Sequence, residues 1–254
     1  MSLLRRFLTA CAGLLFATAA LPAAEPKHGF IDKVYNGPEG EGKYIVFIPK
    51  AYDGSKEFPI ILFLHGAGET GTDGKKQAEV GLGKAVKAHA DTFPFIVVFP
   101  QSQKRTWGAA SEDGKRALAI LDIVMKEYKS DPKRVYLTGL SMGGFGTWSM
   151  AAAHPEKWAA IAPICGGIGR PRAENSSEQL KKTAEKIKDL PCWCFHGDAD
   201  NAVPVQMSRD AIKALKDAGG NPKYTEYPGV GHNSWDKAYA TQELYDWFLA
   251  HKRS

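Results

Sequence analysis

The stretch Gly139-Leu140-Ser141-Met142-Gly143 follows an apolar, strand-like run over residues 134–138 and precedes a helix-like run over residues 145–153. A serine at the tip of a sharp strand-to-helix turn has its hydroxyl pushed out of the sheet. Small residues are needed two positions to either side, because the turn is too tight for bulky side chains. This geometry suits a nucleophile better than a structural element. The stretch therefore predicts acyl transfer, most simply ester hydrolysis, with Ser141 as the nucleophile.

Strand and helix signals alternate along the whole chain, as is typical of one layered α/β domain with a mostly parallel sheet. Strands are predicted over residues 43–48, 59–64, 95–99, 134–138, 158–165, 192–196 and 224–227. Helices are predicted over residues 77–90, 115–128, 145–153, 177–188, 205–218 and 235–250. We also expect Asp131 and Pro132 to form the turn that leads into the strand before Ser141.

The composition is that of an ordinary globular protein, since 44% of the 254 residues are hydrophobic and 24% are charged. The formal net charge of +5 includes Arg5 and Arg6 of the N-terminal segment. No basic run is dense enough to indicate nucleic-acid binding. We therefore expect a small-molecule or polymer-borne substrate and no nucleic-acid partner.

Residues 1–24 are predicted to be a secretory signal peptide, because two arginines precede an apolar run over residues 7–21 and small residues follow it. The apolar run is too short for a membrane span. Cleavage would leave one catalytic domain over residues 25–254, secreted or periplasmic. A lipid anchor at Cys11 is the less favoured alternative, because most of the apolar run follows this cysteine instead of preceding it.

Three cysteines remain after removal of that segment, and an odd number excludes complete internal pairing. Cys192 and Cys194 point to the same face of a predicted strand, where either could meet Cys165. Buried, reduced cysteines are the favoured interpretation over a disulfide. No second Cys/His pair has the spacing of a zinc site, so we expect neither a metal nor another cofactor.

A serine hydroxyl needs a neighbouring base, and the base needs an orienting carboxylate. In doubly wound hydrolases the acid and the histidine follow the serine in that order, each in a loop after a strand. His232 follows the last predicted strand, and Asp198 and Asp200 both follow the strand before it. Ser141, Asp200 and His232 are therefore the predicted triad, with Asp198 as the competing acid.

Two hydrogen-bond donors are needed for the oxyanion that forms when the serine attacks. One is predicted to be the backbone N–H of Met142, at the positive end of the following helix. The other is predicted in the loop over residues 65–71, where three glycines let the backbone turn inward, and Ala67 is the preferred donor. Glycine-rich loops also bind phosphate, but no Gly-Lys-Ser/Thr accompanies this one. His65 and His196 each begin a His-Gly turn and are expected to form structural hydrogen bonds.

Two of the six tryptophans are candidate substrate-binding residues. Trp107 and Trp235 lie in a loop or at a loop–helix junction near the predicted site, where they could line the acyl or alcohol pocket. Packing in the core is the equally favoured alternative for both. The other four are expected in the core or between helices: Trp148, Trp158, Trp193 and Trp247.

On these residues the chain resembles the α/β-hydrolase superfamily across nearly the whole mature region. It is most similar to exported bacterial esterases often described as predicted peptidases, from the prolyl-oligopeptidase-related and carboxylesterase/phospholipase groups. The resemblance implies a mostly parallel central sheet with helices on both faces and a small or absent lid. The matching segments are residues 64–71, 138–148, 162–167, 196–204 and 227–235.

The resemblance also bears on individual residues. The His-Gly-Ala-Gly-Glu-Thr-Gly loop is similar to the His-Gly-Leu-Gly-Asp-Thr-Gly loop of acyl-thioesterases, in which the residue after His-Gly donates to the oxyanion, and this supports Ala67. The acid of the His-Gly-x-x-Asp motif is the triad member in such families, which selects Asp200 over Asp198. Prolyl oligopeptidases carry a large propeller domain, which we do not expect in a chain of this length.

The sequence thus predicts a serine esterase that forms an acyl-enzyme and acts on short-chain or polymer-displayed esters. A peptidase, a carbohydrate esterase acting on acetyl or feruloyl groups, and a polyester depolymerase are alternatives within the same class. A non-catalytic binding module with the same fold is the remote alternative.

Overall fold

The computed structural model describes residues 27–169 and 177–253. The predicted signal peptide over residues 1–24 and the candidate lipid-anchor residue Cys11 lie outside the described residues. Within the described ranges, no helix combines the length and the apolar character that crossing a membrane requires.

Eight strands form one sheet in the described part of the chain. They are β1 (Gly29–Tyr35), β2 (Gly42–Ile48), β3 (Phe58–Leu64), β4 (Ile96–Pro100), β5 (Ser130–Leu140), β6 (Ala160–Ile164), β7 (Trp193–Gly197) and β8 (Lys223–Tyr227). Their spatial order is β1-β2-β4-β3-β5-β6-β7-β8. Strand β2 is antiparallel to both of its neighbours, and all other adjacent pairs are parallel. The predicted mostly parallel α/β architecture is confirmed.

Helices cover both faces of this sheet. They are α1 (Leu82–Ala88), α2 (Glu112–Glu127), α3 (Met142–Ala153), α4 (Ser177–Ile187), α5 (Gln206–Asp217), α6 (Trp235–Ala240) and α7 (Gln242–Ala250). Alternate residues of β3 point to opposite faces, so Leu62 joins a core with α2, α3, α4 and α5, whereas Phe63 joins a core with α1, α6 and α7. A strand that is buried on both faces must be apolar throughout, which explains the continuous apolar run of β3.

Strand β1 and the start of β5 differ from the predictions. No strand was predicted at Gly29–Tyr35, because this edge strand is only partly buried and its apolar pattern is weak. The predicted turn at Asp131 and Pro132 is wrong, because β5 already begins at Ser130. The register with β3 shifts just beyond this point, and the irregularity accommodates a proline, which has no N–H to donate.

Two predicted helices are interrupted. The segment predicted over residues 77–90 forms a short 3-10 turn, Lys76–Ala78, and then α1. Gly81 precedes α1 with φ +52°, a conformation that favours glycine, and a Cβ there would lie 2.5 Å from a side-chain atom of Leu140. The segment predicted over residues 235–250 is two helices, because Thr241 between them has an extended backbone.

The parallel arrangement decides where the candidate residues meet. Strands β3, β5, β7 and β8 all end at the same edge of the sheet. The loops that follow these strands carry Ala67, Ser141, Asp200 and His232. Segments that are far apart in the sequence therefore converge at one edge, as ligand-binding residues of open α/β sheets do.

The three cysteines of the described residues are buried and unpaired. Cys165 directly follows β6, Cys192 directly precedes β7, and Cys194 is the second residue of β7. The predicted burial of these cysteines is confirmed, and their reduced state stays a prediction.

Candidate active site

The backbone at Ser141 is strained. Ser141 has φ +53° and ψ −116°, in a region that non-glycine residues rarely adopt. A Cβ on Gly143 would lie 1.8 Å from the carbonyl oxygen of Leu64, and a Cβ on Gly139 would lie 2.5 Å from the carbonyl oxygen of Gly143. The two glycines therefore allow α3 to approach the sheet closely enough for the turn to present the serine hydroxyl.

His232 connects this serine to an aspartate. Its Nε2 atom lies 2.8 Å from Ser141 Oγ, and its Nδ1 atom lies 2.7 Å from Asp200 Oδ2. An ionised carboxylate only accepts hydrogen bonds, so Nδ1–H donates to Asp200 and the unprotonated Nε2 is free to accept the serine proton. The Asp200 side chain is fully buried, whereas 27% of the His232 side chain is exposed. The imidazole thus lies between a buried charge and a hydroxyl at the surface of the site.

The structure brings Asp200 and not Asp198 to the histidine. The backbone N–H groups of Ala202 and Val203 donate to Asp200 Oδ1 at 2.8 and 2.9 Å. Burial alone would raise the pKa of Asp200, but the hydrogen bonds from His232 and from these two N–H groups outweigh it, so the pKa lies below its usual value. Asp198 is exposed and accepts instead from a backbone N–H in the loop after β8. It stabilises that loop.

The two predicted oxyanion donors each occupy the first position of a helix. Ala67 begins a 3-10 turn, Ala67–Glu69, and Met142 begins α3. Backbone N–H groups at this position have no partner within their own helix. The first loop is close to Ser141, because a Cβ on Gly66 would lie 3.8 Å from Ser141 Cβ. Both N–H groups therefore belong to segments that adjoin Ser141, as an oxyanion hole requires.

Glu69 of the same loop was not among the predicted site residues, and its side chain turns back toward Gly66. Its Oε2 atom is 3.1 Å from the position that a Cβ on Gly66 would take. Burial raises the pKa of the Glu69 carboxyl, and the backbone N–H groups of Glu69 and Gly66 oppose this effect. The available sequence signal was its place in the loop after β3, next to the predicted oxyanion donor.

Of the two candidate substrate-binding tryptophans, Trp107 is not at the surface of the site. It is 2% exposed, its indole N–H donates to the carbonyl oxygen of His65 at 2.9 Å, and it packs against Gly146 of α3. Trp107 was predicted as a candidate pocket residue, and this prediction is wrong. Its indole is packed in the core beneath the loop that begins at His65. Trp235 is partly exposed, and its ring centroid lies 5.3 Å from that of His232.

His65 forms the structural hydrogen bonds predicted for it. Its Nδ1–H donates to the carbonyl oxygen of Gly66 at 2.6 Å, and its Nε2 accepts from the Ser102 N–H at 2.9 Å. Both bonds require the neutral imidazole. Burial lowers the pKa of His65 to about 4, which agrees with that assignment. His196 is equally buried, and one of its partners is Asp200.

One cluster in the described residues has the composition of a metal site. Ligand atoms of Cys165, Asp200 and His232 lie within 4.8 Å of one another. The Asp200 and His232 atoms already bond to each other, and burial raises the pKa of the Cys165 thiol well above its usual value. The cluster is thus accounted for by the hydrogen bonds around Ser141, and we assign no metal to it.

A strained serine, a histidine and a buried aspartate at the carboxyl edge of this sheet define the α/β-hydrolase class. The chain belongs to the esterase family described as "Putative esterase", which matches residues 36–250. A solved structure of a thermostable esterase is 34% identical, with a TM-score of 0.71, and the match covers 88% of this chain and 63% of that one.

Two curated proteins illustrate the range of relatives. The bifunctional acetylxylan esterase/xylanase XynS20E of Neocallimastix patriciarum is 28% identical over 72% of this chain and 25% of its own length. Poly(3-hydroxyalkanoate) depolymerase C of Paucimonas lemoignei is 34% identical over 43% of this chain and 28% of its own length. The chain thus spans about a quarter of the length of each of these relatives.

Proposed function

We propose that this chain is a serine esterase in which Ser141 is the nucleophile, His232 the general base and Asp200 the orienting acid. The observation that carries the proposal is the position of the His232 imidazole, 2.8 Å from Ser141 Oγ through Nε2 and 2.7 Å from Asp200 Oδ2 through Nδ1. Membership of the esterase family supports the same reaction.

The reaction follows from these contacts. Ser141 Oγ attacks the ester carbonyl while its proton passes to His232 Nε2, and Asp200 stabilises the imidazolium that forms. The N–H groups of Ala67 and Met142 hold the negative charge on the carbonyl oxygen. His232 then donates its proton to the departing alcohol, which leaves an acyl-serine. Water, deprotonated by His232, attacks that acyl group and regenerates the serine. No residue role in this sequence calls for a cofactor.

Esters of short acids, or esters carried on a polymer, are the proposed substrates. Ser141 and His232 are both partly exposed, and Trp235 offers aromatic surface beside the imidazole. An acyl chain of two to four carbons needs little more than this surface, whereas a long chain needs an apolar channel. The two relatives above are, by their names, enzymes of acetylated xylan and of a polyester.

The proposal is tested with p-nitrophenyl acetate, butyrate and palmitate, and with an aminoacyl p-nitroanilide as the peptidase substrate. We expect hydrolysis of the acetate and the butyrate, no hydrolysis with Ser141→Ala, and covalent labelling of wild type by a fluorophosphonate probe. Ser55→Ala, which alters an exposed loop serine, is the matched control and should be active and labelled. Labelling that persists in Ser141→Ala, or faster turnover of the palmitate or the anilide, contradicts the proposal. A binding module would give neither turnover nor labelling.

We also propose that residues 1–24 direct export and are then removed, which makes the mature protein secreted or periplasmic. The support is the arrangement of charged, apolar and small residues in that segment. N-terminal sequencing of protein recovered from a bacterial periplasm should begin between residues 21 and 25. A membrane-bound product that becomes soluble in Cys11→Ser would instead establish the lipid anchor.

A further inference from the structure

His196 lies directly behind the proposed catalytic aspartate. It is the fourth residue of β7 and is fully buried. Its Nε2 atom lies 3.1 Å from Asp200 Oδ2, the same oxygen that accepts from His232, and 3.0 Å from the carbonyl oxygen of Val203. Its Nδ1 atom lies 2.7 Å from Ser208 Oγ. Two imidazoles therefore share one carboxylate oxygen, one on the solvent side and one on the core side.

The hydrogen-bond partners of His196 show which ring nitrogen carries the hydrogen. Both groups that face Nε2 are acceptors, so Nε2 carries the hydrogen and donates to them. Burial lowers the pKa of His196, so the imidazole is neutral and Nδ1 accepts from the Ser208 hydroxyl. The same hydroxyl lies 3.0 Å from the carbonyl oxygen of Gly166, but its contact with Nδ1 is shorter. His196 is thus a neutral donor aimed at Asp200.

We propose that His196 is a positioning residue that acts through Asp200 on the proposed base His232, holding the shared carboxylate oxygen and limiting the negative charge that it offers to His232. This inference rests on the proposed function. A hydrogen bond to a carboxylate oxygen takes up part of its charge. Without the His196 donor, Asp200 would attract the protonated form of His232 more strongly, and His232 would gain its proton at a higher pH.

Glu69, whose pKa is raised by burial, lies in the loop after β3 and is the same in every variant compared, and the other titratable groups named next do not change charge near neutral pH. Burial raises the pKa of Cys194, the thiol next to Ser208, to about 12, and that of Cys165 further. Arg209 holds the pKa of Glu226 at about 2. The titration that matters thus belongs to the group formed by His196, Asp200 and His232.

Two amide variants of His196 distinguish its proposed hydrogen bond to Asp200 from a role in core packing alone. His196→Gln carries an N–H donor at about the reach of Nε2, whereas the shorter His196→Asn keeps an amide near Ser208 but does not reach Asp200. The acid limb of kcat/KM against pH should stay near the wild-type position in the glutamine variant. In the asparagine variant it should move up by about half a pH unit, with kcat/KM at neutral pH reduced by up to about threefold. His65→Gln, a buried histidine away from Asp200, should lower stability without moving the limb.

A measurement without substrate completes the test. The pH at which His232 takes up a proton, followed by NMR of its ring protons, should rise in His196→Asn relative to wild type and His196→Gln. If folded His196→Asn titrates and reacts with the wild-type pH dependence, or if His65→Gln shifts it equally, the inference is overturned. If wild type hydrolyses no ester but the NMR shift is present, the proposed function fails and the coupling through Asp200 stands.

Discussion

The Sγ atom of Cys165 lies 3.3 Å from the backbone nitrogen of Ser141, directly beneath the proposed nucleophile. The Ser141 N–H also donates to the carbonyl oxygen of Ile164 at 2.9 Å, so the end of β6 supports the strained turn at two points. Cys165 itself has φ +41°, in the left-handed region. The turn that presents the serine is therefore supported by a second strained residue, which directly follows the neighbouring strand β6.

Burial makes the thiols unreactive in the folded protein. The pKa of Cys165 and Cys194 is raised because their thiolates would be desolvated. We expect the mature protein to react with Ellman's reagent at none of its three thiols under native conditions and at all three in guanidinium chloride. Fewer than three in denaturant without reductant would mean that a disulfide exists.

The two aspartates after β7 provide a matched comparison. Asp200→Asn should lower kcat by about 10³–10⁴-fold, because an amide cannot stabilise the His232 imidazolium and favours the wrong tautomer. Asp198→Asn should change kcat by less than about threefold, because Asp198 only accepts from the Gly229 N–H in an exposed loop. Rates are measured on p-nitrophenyl acetate, with circular dichroism as the folding control. Equal losses in the two variants would contradict the assignment of the acid.

Two glycines of the loop over residues 65–71, which carries the proposed oxyanion donor Ala67, provide a second comparison. A Cβ on Gly66 would lie 2.8 Å from a side-chain atom of Leu140 and 3.1 Å from Glu69 Oε2, whereas a Cβ on Gly68 would meet nothing within 4 Å. Gly66→Ala should displace the Ala67 N–H and reduce kcat by about 10–100-fold, with little change in KM. Gly68→Ala should react like wild type. If Gly66→Ala retains full kcat, the second oxyanion donor lies elsewhere.

The two tryptophans should respond differently to substitution. Trp107→Phe removes the hydrogen bond to the His65 carbonyl oxygen and leaves that oxygen unpaired in the core, so the free energy of unfolding should fall by about 1–3 kcal/mol with KM unchanged. Trp235 packs part of its ring against the core, so Trp235→Ala should also lower that free energy, but unlike Trp107→Phe it should raise KM about two- to tenfold. Urea denaturation and Michaelis–Menten kinetics on both variants measure these effects. A KM change in Trp107→Phe would return this residue to the substrate site.

His65 should make the folded protein less stable in acid. Its pKa is about 4 in the folded protein and near its ordinary value in the unfolded chain, so between about pH 6.5 and pH 4 only the unfolded state takes up this proton. The free energy of unfolding should therefore fall by about 3 kcal/mol across this window from His65 alone. His65→Gln, although less stable at pH 7, should lose less stability on acidification. Parallel profiles for wild type and variant would show that His65 does not titrate in this way.

The chain's local pattern was sufficient to predict the buried parallel strands and the position of the proposed nucleophile. Buried parallel strands such as β3 must be apolar throughout, and the tight turn at Ser141 demands Gly139 and Gly143, so both leave a strong local signal. Strand β1 left almost none, because it is a partly exposed edge strand that pairs only with β2. The break between α6 and α7 at Thr241 could not be predicted either, because one extended residue does not disturb the helical spacing of the apolar residues around it.

Which of the candidate side chains come together at the site was decided by the tertiary structure. Asp198 and Asp200 have the same residue type and nearly the same position after β7, and only the path of the loop turns one toward His232 and the other toward the surface. Trp107 and Trp235 were equal candidates in the sequence, and only tertiary packing buries the first in the core and leaves the second partly exposed beside His232. The hydrogen bond from His196 to Asp200 forms because the loop after β7 folds back over the end of the strand. Sequence determines local geometry and burial, whereas the direction of a side chain and its distant partners depend on how the loops pack.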